Sequence, residues 1–73
     1  MSYKISYAHM TDDEAHQAAI EDCKSFLGDK YKNITSILQG TTHNLDTFLL
    51  AASFAGIKGF PARALFKELG GES

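Results

Sequence analysis

Apolar positions recur along this chain at two different periods, and the change of period divides it into elements. Over residues 2–9, Tyr3, Ile5 and Tyr7 alternate with Lys4 and Ser6. A period of two is the mark of a strand with one buried face, so an N-terminal β-strand or extended arm is expected there. A lone strand leaves its backbone groups unpaired. The arm must then lie along the helices, pair with a second strand that the pattern barely marks, or pair with another chain.

The remainder follows helical spacing. Thr11, Asp12, Asp13 and Glu14 form a capping box, in which the Thr hydroxyl takes a backbone N–H and the Glu side chain reaches back to the cap. Met10 and Ala15 stand at the spacing of a hydrophobic staple, and the early acids suit the positive end of the helix dipole. Ala19, Ile20, Cys23, Phe26 and Leu27 make one apolar stripe that Gly28 stops. Tyr31, Ile34, Ile37 and Leu38 continue at helical spacing towards Gly40, while their β-branched members leave a strand open over 31–38.

Thr41, Thr42, His43 and Asn44 are a polar connector with several candidate caps. A third helix places Leu45, Phe48, Leu49, Ala52 and Ala55 on one broad face and ends at Gly56. Residues 57–60 turn tightly between glycines, and Pro61 suits the first turn of a last helix. Leu65, Phe66 and Leu69 form its inner side, with Gly70 and Gly71 at its end. Phe60 either staples the start of that helix to the core or stands out as an anchor for a partner. The expected fold is mostly α: one small domain over residues 1–73, with three to four short helices and the N-terminal strand or arm.

Composition narrows the setting. With 73 residues, 44% of them apolar, the chain is rich enough to fold but has room for one core. Cys23 is the only cysteine, so no internal disulfide can form, and a cytoplasmic location is expected. The sequon at Asn33, Ile34 and Thr35 then carries no glycan. No signal-peptide pattern is present, and the most apolar stretch, residues 45–57, is broken by Asp46 and Ser53. No membrane partner is expected.

The net charge of −2 speaks against a nonspecific nucleic-acid binder, but the charges are unevenly spread. Residues 1–23 hold one Lys against five acids, Asp12, Asp13, Glu14, Glu21 and Asp22, whereas residues 24–73 hold six basic residues and four acids.

Catalytic chemistry is poorly provided for. Asp12 and His16 lie one turn apart with His9 nearby, short of the converging set that a metal requires. Cys23 falls on an apolar stripe beside Glu21 and Asp22, which raise a thiol pKa rather than activate it. Glu21 and Asp22 are adjacent on a helix and point apart, so they do not form an acid–base pair. No nucleophile elbow or phosphate-binding glycine loop occurs. No enzyme activity, cofactor or metal is expected.

Within residues 48–70, the stretch AASFAGIKGFPARALFKELG at 51–70 resembles a helix-turn-helix segment, with Ala52, then Gly56 and Ile57, then Ala62 and Leu65. That resemblance implies a last helix entering the major groove, with Arg63 and Lys67 towards bases and Lys58 near a phosphate. Gly56, Ile57, Lys58 and Gly59 are also similar to the hairpin of helix-hairpin-helix proteins with one residue inserted, Phe60 and Pro61 standing where some relatives carry a further glycine.

The leading expectation is a non-enzymatic protein-binding adaptor or inhibitor, of the size common among phage and accessory-element factors. It would dock another protein through the arm (Tyr3, Ile5, Tyr7) and the acidic helix (Asp12, Asp13, Glu21, Asp22). A homodimer through the N-terminal strand is the related expectation. The alternative is a nucleic-acid-binding regulator using Lys58, Arg63 and Lys67, while the same residues 48–70 also fit a plain helix–turn–helix corner that serves only the core.

Overall fold

The computed structural model describes residues 9–71. They hold four α-helices: α1 (Asp12–Leu27), α2 (Tyr31–Gln39), α3 (Leu45–Phe54) and α4 (Phe60–Glu68). A single 3₁₀ turn, Gly28–Lys30, joins α1 to α2. The fold is mostly α, and no strand occurs among the described residues. The arm read from Tyr3, Ile5 and Tyr7 lies outside them.

Each helix end has a local cause. The Thr11 hydroxyl accepts the Glu14 N–H at 3.2 Å while the Glu14 carboxylate accepts the Thr11 N–H at 3.1 Å, which satisfies two otherwise orphaned donors. Gly28 closes α1 at φ +57°, a conformation that favours glycine. The region left open between helix and strand is helical. Thr35 is accommodated by donating its hydroxyl to the Lys32 carbonyl at 3.1 Å, the usual outlet for a helical Thr. Gln39 then donates to the Leu69 carbonyl at 3.0 Å and ties the end of α2 to the end of α4.

Asn44 caps α3 by accepting the Thr47 N–H at 3.0 Å. The helix ends in a Schellman arrangement: Ile57 N–H bonds the Ala52 carbonyl at 3.0 Å and Gly56 N–H bonds Ser53 at 3.0 Å. The same pattern ends α4, where Gly71 N–H bonds Phe66 at 2.9 Å and Gly70 N–H bonds Lys67 at 3.1 Å. Pro61 occupies the first turn of α4, where its missing donor costs nothing.

One apolar cluster joins the helices: Ala19, Ile20 and Cys23 from α1, Leu38 from α2, Phe48 and Ala52 from α3, and Leu65 and Phe66 from α4 are among its members. Helix α1 runs antiparallel to α4, since His16 meets Glu68 at one end and Cys23 meets Pro61 at the other. Phe48 and Phe66 pack edge to face, with centroids 5.1 Å apart at 71°. No polar or charged side chain is buried among the described residues. The molecule extends 31 × 26 × 16 Å.

Two residues of the expected apolar stripes, Phe26 and Ile37, are not in the core; Ile37, on α2, is 67% exposed. Phe26 is 56% exposed. Cys23 already stands opposite Pro61, at the start of α4, so the last turn of α1 has little of α4 left to pack upon. No described helix is long and apolar enough to cross a membrane.

Candidate functional site

The five acids of α1 do not form one patch. Glu14 is spent on the cap of its own helix. Asp12 lines a cleft of about 260 Å³ with His16, Phe60, Arg63, Ala64 and Lys67. Asp13 is exposed, and Glu21 and Asp22 lie two turns further along, about 13 Å up the axis.

His16 Nε2 stands 2.8 Å from Glu68 Oε1, so the histidine flagged beside Asp12 has a carboxylate partner from α4. No group of three or more His, Cys, Asp or Glu residues converges on a point among the described residues. His9 is exposed.

Cys23 is buried at 2% exposure, with its Sγ 3.8 Å from the Pro61 carbonyl. Burial first, and then the charge of Asp22, pushes its thiol up to about 11. A thiol so protonated is a poor nucleophile. Burial and the nearby Glu68 charge also push the Tyr31 phenol up, and Lys24 Nζ lies 5.7 Å from the centre of that ring.

The three cations of residues 48–70 are neighbours. Arg63 lines the cleft that holds Lys67 and a second, of about 330 Å³, that holds Lys58. The setting departs from an open reading helix. Pro61, Ala62, Ala64, Leu65 and Phe66 are all buried, which leaves α4 a narrow outer stripe, and Asp12 borders it. In the preceding turn Ile57 is buried and Gly56 and Gly59 take φ +86° and +71°. Phe60, 41% exposed, lines the Asp12 cleft and is not part of the core cluster.

One apolar surface feature was not singled out by the sequence pattern. A cleft of about 260 Å³ lies between α2 and α3, lined by Ile34, Ile37, Leu38, Ala51, Phe54 and Ala55, every one apolar. Its rim carries the most exposed large apolar side chains among the described residues, Phe54 at 84% and Ile37 at 67%, with Leu50 at 60% one turn before Phe54. The signal for it is the composition of α3: in LDTFLLAASF the only charge is Asp46, so the outer side, with Thr47 and Ser53 as its other polar residues, is less polar than that of a normal surface helix.

No family model, curated protein or solved structure matches this chain.

Proposed function

We propose that this chain is a non-enzymatic protein-binding module, an adaptor or inhibitor, and that its docking surface is the α2–α3 cleft. The observation that carries this reading is Phe54, 84% exposed on the rim of a cleft with wholly apolar walls. Scattered apolar residues on a surface need no explanation, but a contiguous set around a groove marks an interaction site. The cleft offers no acid, base, nucleophile or ligand, so its chemistry is that of burial. It suits the helix-in-groove mode, in which anchors spaced by a helical turn enter an apolar furrow. The exposed carboxylates of Asp12, Asp13 and Glu21 take the lesser role of steering the approach to a basic surface.

The test is a pull-down from nuclease-treated host lysate with the full chain and with Ile37→Glu and Phe54→Glu, each variant first checked for native helicity. Stoichiometric partners, or self-association, that the wild type shows and both variants lose support this reading. Associations that ignore both substitutions overturn it.

A second reading rests on Arg63 lying between Lys58 and Lys67 across two adjoining clefts, an arrangement that can follow a phosphate backbone. It requires duplex or single-stranded DNA binding that weakens steeply with salt and that Arg63→Ala and Lys67→Ala reduce without unfolding the protein. Binding that is absent, or flat with salt, removes it.

A further inference from the structure

We infer that the occupant of the α2–α3 face is a second copy of this chain, packed as a two-fold dimer with α3 antiparallel to α3 of its neighbour. The inference rests on the docking reading of that face and adds what covers it.

The first argument is the composition of α3. Its inner residues Phe48 and Ala52 are fully buried and its outer residues Leu50 and Phe54 are 60% and 84% exposed, yet both pairs are apolar. Beside the polar Asp46, Thr47 and Ser53, the outer side thus still carries a pair of large apolar side chains one turn apart, the kind of patch that marks an interaction surface. The core covers one side of α3 and leaves Leu50 and Phe54 on the other for a neighbour.

The second argument is self-complementarity, which a two-fold interface demands because the same patch serves both partners. Leu50 and Phe54, one helical turn apart, are knobs; Ala51 and Ala55, equally spaced on the same helix, are small residues lining the cleft beside them. Ile34 and Ile37 form the opposite wall. A cavity of roughly 150 Å³ accepts a benzene ring, so the cleft of about 260 Å³ has room for the Phe54 ring of the other copy. One face, built by α2 and α3 together, therefore supplies both the projection and the recess.

Charge then selects the direction. Asp46, in the first turn, is the only charged residue of α3. A parallel pairing brings the two Asp46 carboxylates side by side; an antiparallel one sends them to opposite ends and also opposes the helix dipoles. The area is adequate: with roughly 150–250 Å² for an aromatic side chain, Phe54, Leu50, Ile37 and the cleft walls amount to roughly 400–500 Å² of apolar surface per copy. That is the apolar centre of a standard interface of about 800 Å² a side.

The experiment is sedimentation equilibrium on the full chain from micromolar to submillimolar concentration, for the wild type, Phe54→Glu, Ile37→Glu and, as a control on another face, Arg63→Ala. The expected result is a mass rising from 8.0 kDa to twice that value for the wild type and Arg63→Ala. Phe54→Glu and Ile37→Glu, still helical by circular dichroism, then associate roughly thirtyfold or more weakly, as at an interface hot spot. A wild type that stays monomeric overturns the inference, as does a dimer indifferent to Phe54→Glu and Ile37→Glu. In the monomeric case the pull-down separates the two ideas. If a partner protein is lost with Phe54→Glu, the docking reading stands and only the second copy is wrong; if nothing depends on Phe54, both fall.

Discussion

The ring of Phe26 lies over Gly56: a Cβ at position 56 would stand 3.0 Å from both Cε2 and Cζ of that ring. The contact joins the last turn of α1 to the turn that ends α3. It sits on a backbone already held at φ +86°, so a side chain there meets two obstacles, the conformation and the ring. Gly56→Ala should therefore cost about 1–3 kcal/mol in urea denaturation. Phe26→Ala, at a half-exposed position, should cost less, and placing Gly56→Ala in that background should recover the part due to the ring while the part due to φ remains. A Gly56→Ala variant as stable as the wild type would mean the turn can re-form without its glycine.

The core depends on the edge-to-face pair of Phe48 and Phe66, both almost fully buried. Phe48→Ala removes a large side chain from a site that two helices hold open, a loss of about 3–5 kcal/mol. Small domains have little more than that in total. Near-ultraviolet circular dichroism should collapse at room temperature and any residual helicity should melt without a cooperative transition; a sharp melt close to that of the wild type would refute the assignment of Phe48 to the centre of the core.

Two side-chain caps start two different helices. Thr11→Ala and Asn44→Ala each leave a first-turn N–H without its partner, and each should lower stability by about 1 kcal/mol. The caps share no partner, so the double variant should lose the sum to within about 0.5 kcal/mol. A markedly larger loss would reveal that the two helix starts form as one unit.

Cys23 gives a pH-dependent prediction. Unfolded, its thiol ionises near the ordinary value of 9.0; folded, it does so at about 11. Between those values the unfolded chain has released a proton that the folded chain still holds, so stability contributed by the neutral buried thiol is full below pH 9 and is lost as pH rises towards 11. The loss is on the order of 2–3 kcal/mol, and Cys23→Ala should lack it while losing some packing at every pH. At pH 8 an aromatic disulfide reagent should modify the native protein far more slowly than the urea-unfolded chain; equal rates would place the thiol at the surface.

Short-range signals were readable without coordinates. The capping box of Thr11 and Glu14, Gly28 and Gly40 at helix ends and Pro61 in a first turn all act through neighbours a few residues away, so the sequence contains their whole cause. The helix at Tyr31–Gln39 was ambiguous for the converse reason: its β-branched residues have no strong local preference, and the bond from Gln39 to Leu69 lies thirty residues distant. Phe26 was misplaced because the stripe on α1 continues in sequence past the point where α4 begins to run out in space. The α2–α3 cleft was missed for a related reason. The pattern placed Leu45, Phe48, Leu49, Ala52 and Ala55 on the inner face of α3, where they are buried or half-buried, but it could not show that Phe54 on the other side meets Ile37 of α2 at the rim of an open cleft.

That two-sidedness of α3 has a mechanical consequence. The inner pair, Phe48 and Ala52, and the outer pair, Leu50 and Phe54, are offset by two positions, about 200° around the axis. Rotating the helix by that amount exchanges one apolar set for another, so solvation holds its angle only through Asp46, Thr47 and Ser53. What sets its angle is shape and anchorage: the Phe48 ring against Phe66, the close fit at Ala52 and the Asn44 clamp at its first turn. Without those fixings, the hydration of one carboxylate, Asp46, would be the chief restraint on which side of α3 the fold keeps for itself.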